Sequence, residues 1–333
     1  MDNMKYLEVF GLALLFSVLL VPAARALALR LGIMDRPDKN LKKHKNPVPY
    51  LGGAAIFFAF FLALFLERML DAGSLKGLAG LVIGSSMMFL LGLADDLKKL
   101  SVPFKFLVQI LAALVLVIFG IKIEFLGNDI LNVLVTVLWM VGLTNAFNLT
   151  DIMDGLSSGI ALAAAMMFFI IGTAAGKIFS PLAALALAGA VLGFLFYNYP
   201  PAKIFMGDAG SLFVGYLLAA LSITESYSGT NNYAVLAPVV ILGIPVFDTL
   251  FVMWMRWKQG KPVYYGSPDH FPLRLRRFGL SVKQVLLSVY SAGILLAFAG
   301  YAVTRVSPAV SLLIYGFLAG TALFLAKKLS RIG

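Results

Sequence analysis

The chain has 333 residues, of which 61% are hydrophobic and only 13% charged, and its mean hydropathy is +0.93. Soluble domains are about half apolar and a quarter charged, so this composition excludes a soluble globular protein and predicts an integral membrane protein. The net charge is +11, and the lack of cysteine excludes disulfides, thiolate metal sites and cysteine nucleophiles.

Apolar runs long enough to cross about 30 Å of hydrocarbon as helices occur eleven times. They lie near residues 7–28, 51–69, 76–94, 104–120, 130–147, 158–175, 179–196, 211–224, 233–255, 283–303 and 308–326. The run at 211–224 is short, and we expect it to extend at one end. The alternating pattern of a membrane barrel is absent from the sequence, so the predicted fold is all-α, a polytopic bundle forming one domain over 1–333.

Positive charge is divided unevenly between the two sides of this arrangement. One side carries Lys5, Arg68, Lys76, Lys122, Lys177 and Arg305, which leaves 21 of the 27 Lys and Arg residues on the other. The basic side is predicted to be cytoplasmic, with the N-terminus outside and the C-terminus inside. A cleaved signal peptide is the weaker alternative, because positive charge follows the first run instead of preceding it. The predicted cytoplasmic loops lie near 29–50, 95–104, 148–157, 197–210 and 256–282.

The first polar motif, 92-GLADDLKKLSVPFKF-106, ends the third apolar run. Its adjacent carboxylates, Asp95 and Asp96, repel each other, and a proton, a divalent cation or a basic neighbour must relieve this repulsion. Ionisable groups beside the membrane are candidates for function. The alternative is an ordinary helix exit capped by its own lysines.

The second motif, 145-NAFNLTDIMDG-155, places Asn145, Asn148, Asp151 and Asp154 three residues apart. Nine residues of continuous α-helix turn by about 900°, so the first and last of these side chains would face opposite ways. We therefore expect the helix to end inside the segment. Asn148 and Asp151 are the pair best placed to share a ligand.

The third motif, 199-YPPAKIFMGDAGSLFVGY-216, contains two prolines that end the seventh helix and a glycine-rich start to the eighth. Such a helix start offers free N–H groups and the positive end of the dipole, which suits phosphate. Asp208 is either a helix N-cap or a ligand of Mg²⁺, which takes one or two carboxylates and fills its other positions with phosphate and water.

Two basic loops, 35-DRPDKNLKKHKNPVPYLGG-53 and 256-RWKQGKPVYYGSPDHFPLRLRRFGLS-281, contain the two histidines, His44 and His270. A solvated loop histidine is the alternative to a functional one. In the second loop, leucines and Phe278 alternate with Arg274 and two further arginines, which predicts a short interfacial segment with arginines toward headgroups or phosphates. The basic loops suit anionic lipid or a phosphorylated substrate. Nucleic acid is disfavoured, since no soluble domain presents a basic surface.

These motifs resemble those of the polyprenyl-phosphate N-acetylhexosamine-1-phosphate transferases (glycosyltransferase family 4), which also include the phospho-N-acetylmuramoyl-pentapeptide transferases. The similarity covers about residues 35–281. The first loop resembles that of the branch priming O-antigen, enterobacterial common antigen and teichoic acid synthesis. NAFNLTDIMDG is similar to the family's N-A-x-N-x-x-D-G-x-D-G, and FMGDAGS to its single-Asp motif.

The resemblance implies transfer of a sugar 1-phosphate, an N-acetylhexosamine 1-phosphate, from a UDP-sugar to polyprenyl (undecaprenyl) phosphate, with release of UMP. This reaction would occur at the cytoplasmic face of a bacterial plasma membrane, and a homodimer is a candidate assembly. The alternatives are a muramoyl-pentapeptide donor or, from another class, a secondary transporter, whose acids would be expected near the bilayer midplane between internal repeats.

Residue roles are implied by the same resemblance. Mg²⁺, or Mn²⁺, would be held at Asp208 and Asn148, and Asp95 and Asp96 would act as base or nucleophile. Substrate binding is assigned to Asp151, Asp154, Lys105, Lys43, His44, Lys45, His270 and Arg274.

Two departures from the family pattern stand out. Ile152 replaces a glycine of the second motif. The family's last-loop pattern, H-x-H-H, corresponds here to His270, Phe271, Pro272 and Leu273, so only the first histidine is kept. We expect either His270 alone or the following arginines, Arg274 foremost, to do the work of that cluster.

Overall fold

The computed structural model describes residues 3–35, 47–67, 75–224, 227, 231–263 and 267–332. The chain forms two compact units, Met1–Glu225 and Ser226–Gly333. The single domain over 1–333 stays a prediction.

The described part of the first unit consists of α-helices and one short antiparallel β-ladder. Its elements are α1 (Asn3–Leu31), β1 (Met34–Asp35), β2 (Val48–Pro49), α2 (Gly52–Leu66), α3 (Leu75–Leu97), α4 (Val102–Ile118), α5 (Asp129–Thr150), α6 (Leu156–Ala174), α7 (Phe179–Asn198) and α8 (Gly207–Thr224). Met34 pairs with Pro49 and Asp35 with Val48, so the ladder joins the two ends of the first basic loop.

Helix α8 lies at the centre of the first unit and contacts α2, α3, α5, α6 and α7. It is apolar around its whole circumference, which is the pattern of a fully enclosed helix, and every residue from Ala209 to Ser222 is buried. Glycines allow close backbone approach: a Cβ on Gly53 would lie 2.2 Å from the backbone nitrogen of Gly210. The expected extension of the short eighth run is confirmed, because α8 begins at Gly207.

The second unit begins with a 3-10 helix, Asn232–Leu236. It continues with α9 (Ala237–Ile241), α10 (Gly243–Lys258), α11 (Phe271–Arg277), α12 (Val282–Val303) and α13 (Pro308–Leu329). Helix α12 packs against α9, α10 and α11. Most of α13 is exposed, as expected for an apolar helix whose surroundings are lipid.

The all-α polytopic class is confirmed. Among the described residues, eight helices are long and apolar enough to cross a membrane, or nine if a bent pair counts as one span. Two predicted spans, 51–69 and 104–120, are shorter helices of 15 and 17 residues.

The predicted span near 233–255 is not one continuous helix. The segment bends by 75° between Asn232–Ile241 and Gly243–Lys258. Pro245 has no N–H to donate to the carbonyl of Ile241, so the α-helical hydrogen bonding is interrupted where the bend occurs.

Candidate active site

The second motif adopts the broken geometry that its spacing requires. Helix α5 ends at Thr150, Asp151 is its C-cap residue, and Gly155 precedes α6 with a φ of +76°. Glycine tolerates this left-handed conformation at little cost, so the chain can turn sharply between two membrane helices. The expectation that the helix ends inside the motif is confirmed.

A lysine, two carboxyl groups and an amide meet where α3, α4, α5 and α8 converge. The Nζ atom of Lys105 lies 2.7 Å from Oδ2 of Asp95 and 3.9 Å from Oδ2 of Asp208. The side-chain amide of Asn148 donates to Oδ1 of Asp208 at 2.8 Å and to the hydroxyl of Ser211 at 2.9 Å. The fold therefore brings together residues from three separate sequence motifs, and we call Asp95, Lys105, Asn148 and Asp208 the carboxylate cluster.

Asp96 points away from its neighbour Asp95 and binds the start of α8. Its two carboxylate oxygens accept hydrogen bonds from the backbone N–H groups of Asp208 (2.9 Å) and Ala209 (3.0 Å). Its backbone carbonyl accepts the hydroxyl of Tyr50 at 2.8 Å. The expectation that α8 begins with free N–H groups is therefore wrong for these two, because a carboxylate of the protein already occupies them.

Gly207 is required by this arrangement for two reasons. Its φ is +71°, and a Cβ there would lie 2.6 Å from Oδ2 of Asp96. A side chain would thus be strained and would push against the carboxylate that binds the helix start.

The two acids after α5 have different surroundings. Asp154 accepts a hydrogen bond from the backbone N–H of Ala202 at 2.9 Å, which ties its turn to the segment before α8. Burial, together with the negative charges of Asp96 and Asp154, raises the pKa of Asp151 to about 7. Asp151 is thus close enough to Asp96 of the first motif to feel its charge. That it shares a ligand with Asn148 stays a prediction.

Asn198 is a buried residue that the sequence analysis did not select. Its side-chain oxygen accepts the N–H of Gly155 at 2.8 Å and the hydroxyl of Ser158 at 3.3 Å, while its amide donates to the carbonyl of Ile204 at 3.0 Å. It therefore joins the turn carrying Asp154 to the segment that leads into α8. The available signal was a lone amide at the end of an apolar helix, two residues before the first of two prolines.

Asn145 has a structural contact instead of a place in the carboxylate cluster. It forms a reciprocal pair with Gln109 of α4, with amide-to-oxygen distances of 3.2 and 2.6 Å. Gln109 lies one helical turn beyond Lys105, and Asn145 one turn before Asn148. The amide pair thus links α4 to α5 directly beneath two members of the cluster.

Lys43, His44 and Lys45 lie outside the described residues. The residues that follow them form hydrogen bonds with the segment before α8. Pro49 accepts a hydrogen bond from the N–H of Phe205 at 2.9 Å, and Gly52 donates to the carbonyl of Phe205 at 3.0 Å. The end of the first basic loop is thus paired with the segment directly before Asp208.

His270 belongs to the second unit, where it contacts an acid from α10. Its Nδ1 lies 2.6 Å from Oδ2 of Asp248, and Oδ1 of the same carboxylate accepts the backbone N–H of Phe271 at 2.9 Å. Both side chains are buried. Sequence analysis did not connect Asp248 with His270.

Arg274 does not face outward as the alternating pattern predicted. Its guanidinium donates to Oδ1 of Asp269 at 2.5 Å and to the carbonyls of Leu329 and Ile332, and only 3% of the residue is exposed. The pattern misleads because α11 is a helix, in which Arg274 shares the buried face of Phe271. The exposed arginines of α11 are Arg276 and Arg277.

These contacts also affect the charge of Asp269. Burial alone would raise the pKa of its carboxyl group, but hydrogen bonds from Arg274 and Ser267 outweigh this and hold the pKa below its usual value. The substrate role of Arg274 stays a prediction, and the side chain would have to leave these partners to reach a phosphate.

A divalent cation fits the carboxylate cluster. Within the described residues, no group of three or more His, Cys, Asp or Glu side chains is arranged to hold a metal ion. Lys105 lies between the carboxyl groups of Asp95 and Asp208, at 2.7 and 3.9 Å, so one lysine faces two acids and a further cation can balance the remaining charge. Mg²⁺ needs only one or two carboxylates when phosphates and water supply its other ligands, so this donor set is sufficient.

The fold and the site together define a polytopic membrane protein with a polar, mixed-charge site at one end of its helices. The family described as Glycosyl transferase family 4 matches residues 78–226, the range that contains the whole carboxylate cluster. The chain belongs to this family, because relatives 32–33% identical to it also match over at least 80% of its length.

Three of these relatives indicate the breadth of the family. A Bacillus subtilis protein named "Probable undecaprenyl-phosphate N-acetylglucosaminyl 1-phosphate transferase" is 33% identical over 293 residues, covering 85% of this chain and 81% of that protein. The Mycobacterium tuberculosis "Decaprenyl-phosphate N-acetylglucosaminephosphotransferase" is 33% identical over 301 residues, covering 80% and 74%. The Desulforudis audaxviator "Phospho-N-acetylmuramoyl-pentapeptide-transferase" is 32% identical over 334 residues, covering 88% and 96%.

Proposed function

We propose that this protein transfers N-acetylhexosamine 1-phosphate from a UDP-sugar to polyprenyl phosphate, giving a polyprenyl-diphospho-sugar and UMP. The observation that carries the proposal is the carboxylate cluster, in which Lys105, Asp95, Asn148 and Asp208 meet at one end of the bundle. The names of the relatives support the same reaction class.

The reaction suits a site that positions and neutralises charge. An oxygen of the lipid phosphate forms a bond to the sugar-bearing phosphorus while the bond from that phosphorus to UMP breaks. A phosphate monoester is already a competent nucleophile near neutral pH, so alignment and electrostatic stabilisation supply most of the catalysis. Lys105, whose side chain is 27% exposed, offsets negative charge on the incoming phosphates.

The acids divide these tasks according to their contacts. Asp95 holds Lys105 at the site and accepts a hydrogen bond from the backbone N–H of Leu100 at 2.7 Å. Asp96 aligns α8 and thereby the position of Asp208. Asp151 and Asp154 line the turn beside them and bind the nucleotide-sugar. Deprotonation of the lipid phosphate belongs to Asp95, because its Oδ2 is bound by a lysine side chain that can move away, whereas both oxygens of Asp96 are bound by backbone donors.

Asp208 and Asn148 would hold Mg²⁺, with Asp95 beside them. When bound, the ion neutralises charge on the pyrophosphate and on the departing UMP. The first basic loop, with Lys43, His44 and Lys45, would contact the lipid phosphate, since the end of that loop is paired with the segment before Asp208.

We propose that the chain crosses a bacterial plasma membrane eleven times and that the carboxylate cluster lies at the cytoplasmic face. The eight long helices, the bent pair and the two shorter apolar helices correspond one to one with the eleven apolar runs. The charge asymmetry supports an N-terminus outside and a C-terminus inside.

The direct test uses purified protein, Mg²⁺ and undecaprenyl phosphate with a panel of UDP-sugars. We expect UMP and a lipid-linked product with UDP-N-acetylglucosamine or a related UDP-N-acetylhexosamine. Asp208→Asn serves as the matched control for contaminating activity. Failure to release UMP with every donor, from protein that remains folded, would overturn the proposal.

Phospho-N-acetylmuramoyl-pentapeptide transfer is the second candidate. The relative of that name is covered over 96% of its length, more than the two N-acetylglucosamine relatives. Including UDP-N-acetylmuramoyl-pentapeptide in the panel decides between the two donors.

A further inference from the structure

The second unit contains a buried acid–imidazole pair that the carboxylate cluster does not include. Asp248 is wholly buried on α10, and His270, which directly precedes α11, is 2% exposed. The distance of 2.6 Å between Oδ2 and Nδ1 is that of a strong hydrogen bond to a charged group. The charged groups nearest to this pair along the chain, Asp269 and Arg274, bind each other instead.

We propose that Asp248 is a positioning residue for His270: it holds the ring with the proton on Nδ1 and leaves Nε2 as the unprotonated nitrogen. The role in the reaction rests on the proposed function. The orientation of the ring rests on geometry alone, since a carboxylate accepts hydrogen bonds and cannot donate one when ionised. His270 is the one histidine kept from the expected last-loop cluster, so the position of its single available nitrogen matters more here than where three histidines are present.

The second oxygen of Asp248 determines how an asparagine side chain would be oriented at this position. Oδ1 is occupied by the backbone N–H of Phe271, which begins α11. In Asp248→Asn, the amide oxygen must keep that contact, because an NH₂ group there would face the backbone donor. The NH₂ group therefore takes the place of Oδ2 and donates to Nδ1, which forces the proton of the neutral ring onto Nε2. A nearly isosteric change thus reverses the tautomer.

The tautomer can be measured directly, because the chain has only two histidines. Protein labelled with [15N]histidine gives two imidazole spin systems, and the signals lost in His270→Ala identify the ring. We expect the proton of His270 on Nδ1 in the wild type and on Nε2 in Asp248→Asn. Asp269→Asn is the matched control: it breaks the adjacent pair with Arg274 but leaves Asp248 in place, so the tautomer should not change.

Kinetics test whether Asp248 acts through His270. Asp248→Asn and His270→Ala should each lower kcat by about 10²-fold or more, the low end for loss of a general acid–base group. The double variant should be no slower than His270→Ala alone, because Asp248 acts through His270 and has no further effect once the imidazole is gone. A double variant that is slower by the product of the two effects would overturn the proposal, as would a proton that remains on Nδ1 in Asp248→Asn.

A second variant separates this role from a merely structural one. His270→Asn places an amide donor where Nδ1 lies, so it keeps the bond to Asp248 but removes Nε2. We expect wild-type thermal stability with the same loss of kcat as His270→Ala, and full activity in His270→Asn would contradict the assignment. If the wild type releases no UMP with any donor, the proposed reaction fails, yet the tautomer measurement still decides whether Asp248 orients the ring.

Discussion

Asp96 and Asp208 are 112 residues apart in sequence, yet an oxygen of the Asp96 carboxylate lies 2.9 Å from the backbone nitrogen of Asp208. The acid of the first motif therefore fixes the helix start that carries the acid of the third. The two motifs form a single structural element, and this separates the roles of the adjacent Asp95 and Asp96.

Asp96→Asn should destabilise the protein more than Asp95→Asn. An asparagine at 96 has one acceptor for two backbone donors, and its NH₂ group would face an N–H that cannot move away. We expect a loss of about 1–3 kcal/mol, the range for a buried donor left without an acceptor. At position 95, an asparagine oxygen can keep the backbone N–H of Leu100, and the other partner is a partly exposed lysine side chain that can return to water. Thermal unfolding in detergent compares the two, and an equal or larger loss for Asp95→Asn would contradict the division of roles.

Gly92→Ala should separate α3 from α8 and abolish UMP release. A Cβ at this position would lie 2.2 Å from the carbonyl oxygen of Asp208, which is backbone and cannot turn aside. Overpacking of this kind costs about 1–3 kcal/mol, and sometimes more. Gly142→Ala is the matched control, because a Cβ there meets nothing within 4 Å. Normal activity and unfolding temperature in Gly92→Ala would refute the close contact.

The Gln109–Asn145 pair should show strong coupling between its two members. Asn145→Leu leaves the buried amide of Gln109 without its partner, which should lower stability by about 1–3 kcal/mol. The double variant Gln109→Leu/Asn145→Leu removes both polar groups and should recover most of the lost stability. Unfolding midpoints of the four proteins form the double-mutant cycle, and simple additivity would argue against a paired role.

Chelation should abolish turnover without unfolding the protein. We expect UMP release to stop in excess EDTA and to return on addition of Mg²⁺, because Asp208 and Asn148 would hold the ion against the substrate phosphates. Asp208→Asn should show the same loss but no recovery with added metal. Undiminished activity in excess chelator would contradict the assignment of a divalent cation to Asp208 and Asn148.

Single cysteines should report the orientation of the helices, since the chain contains no native cysteine. Lys99→Cys and Lys177→Cys are a matched pair, because both side chains are exposed in short connections. An impermeant thiol reagent should label position 99 only from the cytoplasmic side and position 177 only from outside. Labelling of both from the same side would break the eleven-crossing arrangement.

Sequence alone was enough to predict the class of membrane protein and the residues that form the carboxylate cluster. Hydropathy and length are local properties, so the apolar runs could be counted without any knowledge of packing. The end of α5 also followed from spacing, because a 3.6-residue helix cannot bring Asn145 and Asp154 to one point. Asp95, Lys105, Asn148 and Asp208, selected by motif, do meet in the folded chain.

The tertiary structure alone decided which atoms those residues contact. The sequence could not tell Asp95 from Asp96, because their difference lies in donors that α8 presents from more than a hundred residues away. Asn198 connects two turns, Asn145 pairs with α4, and Arg274 is drawn inward by carbonyls at the end of α13. Each of these contacts depends on which helix faces which, and that is set by close packing between distant segments, a property that no local pattern of charge or hydropathy encodes.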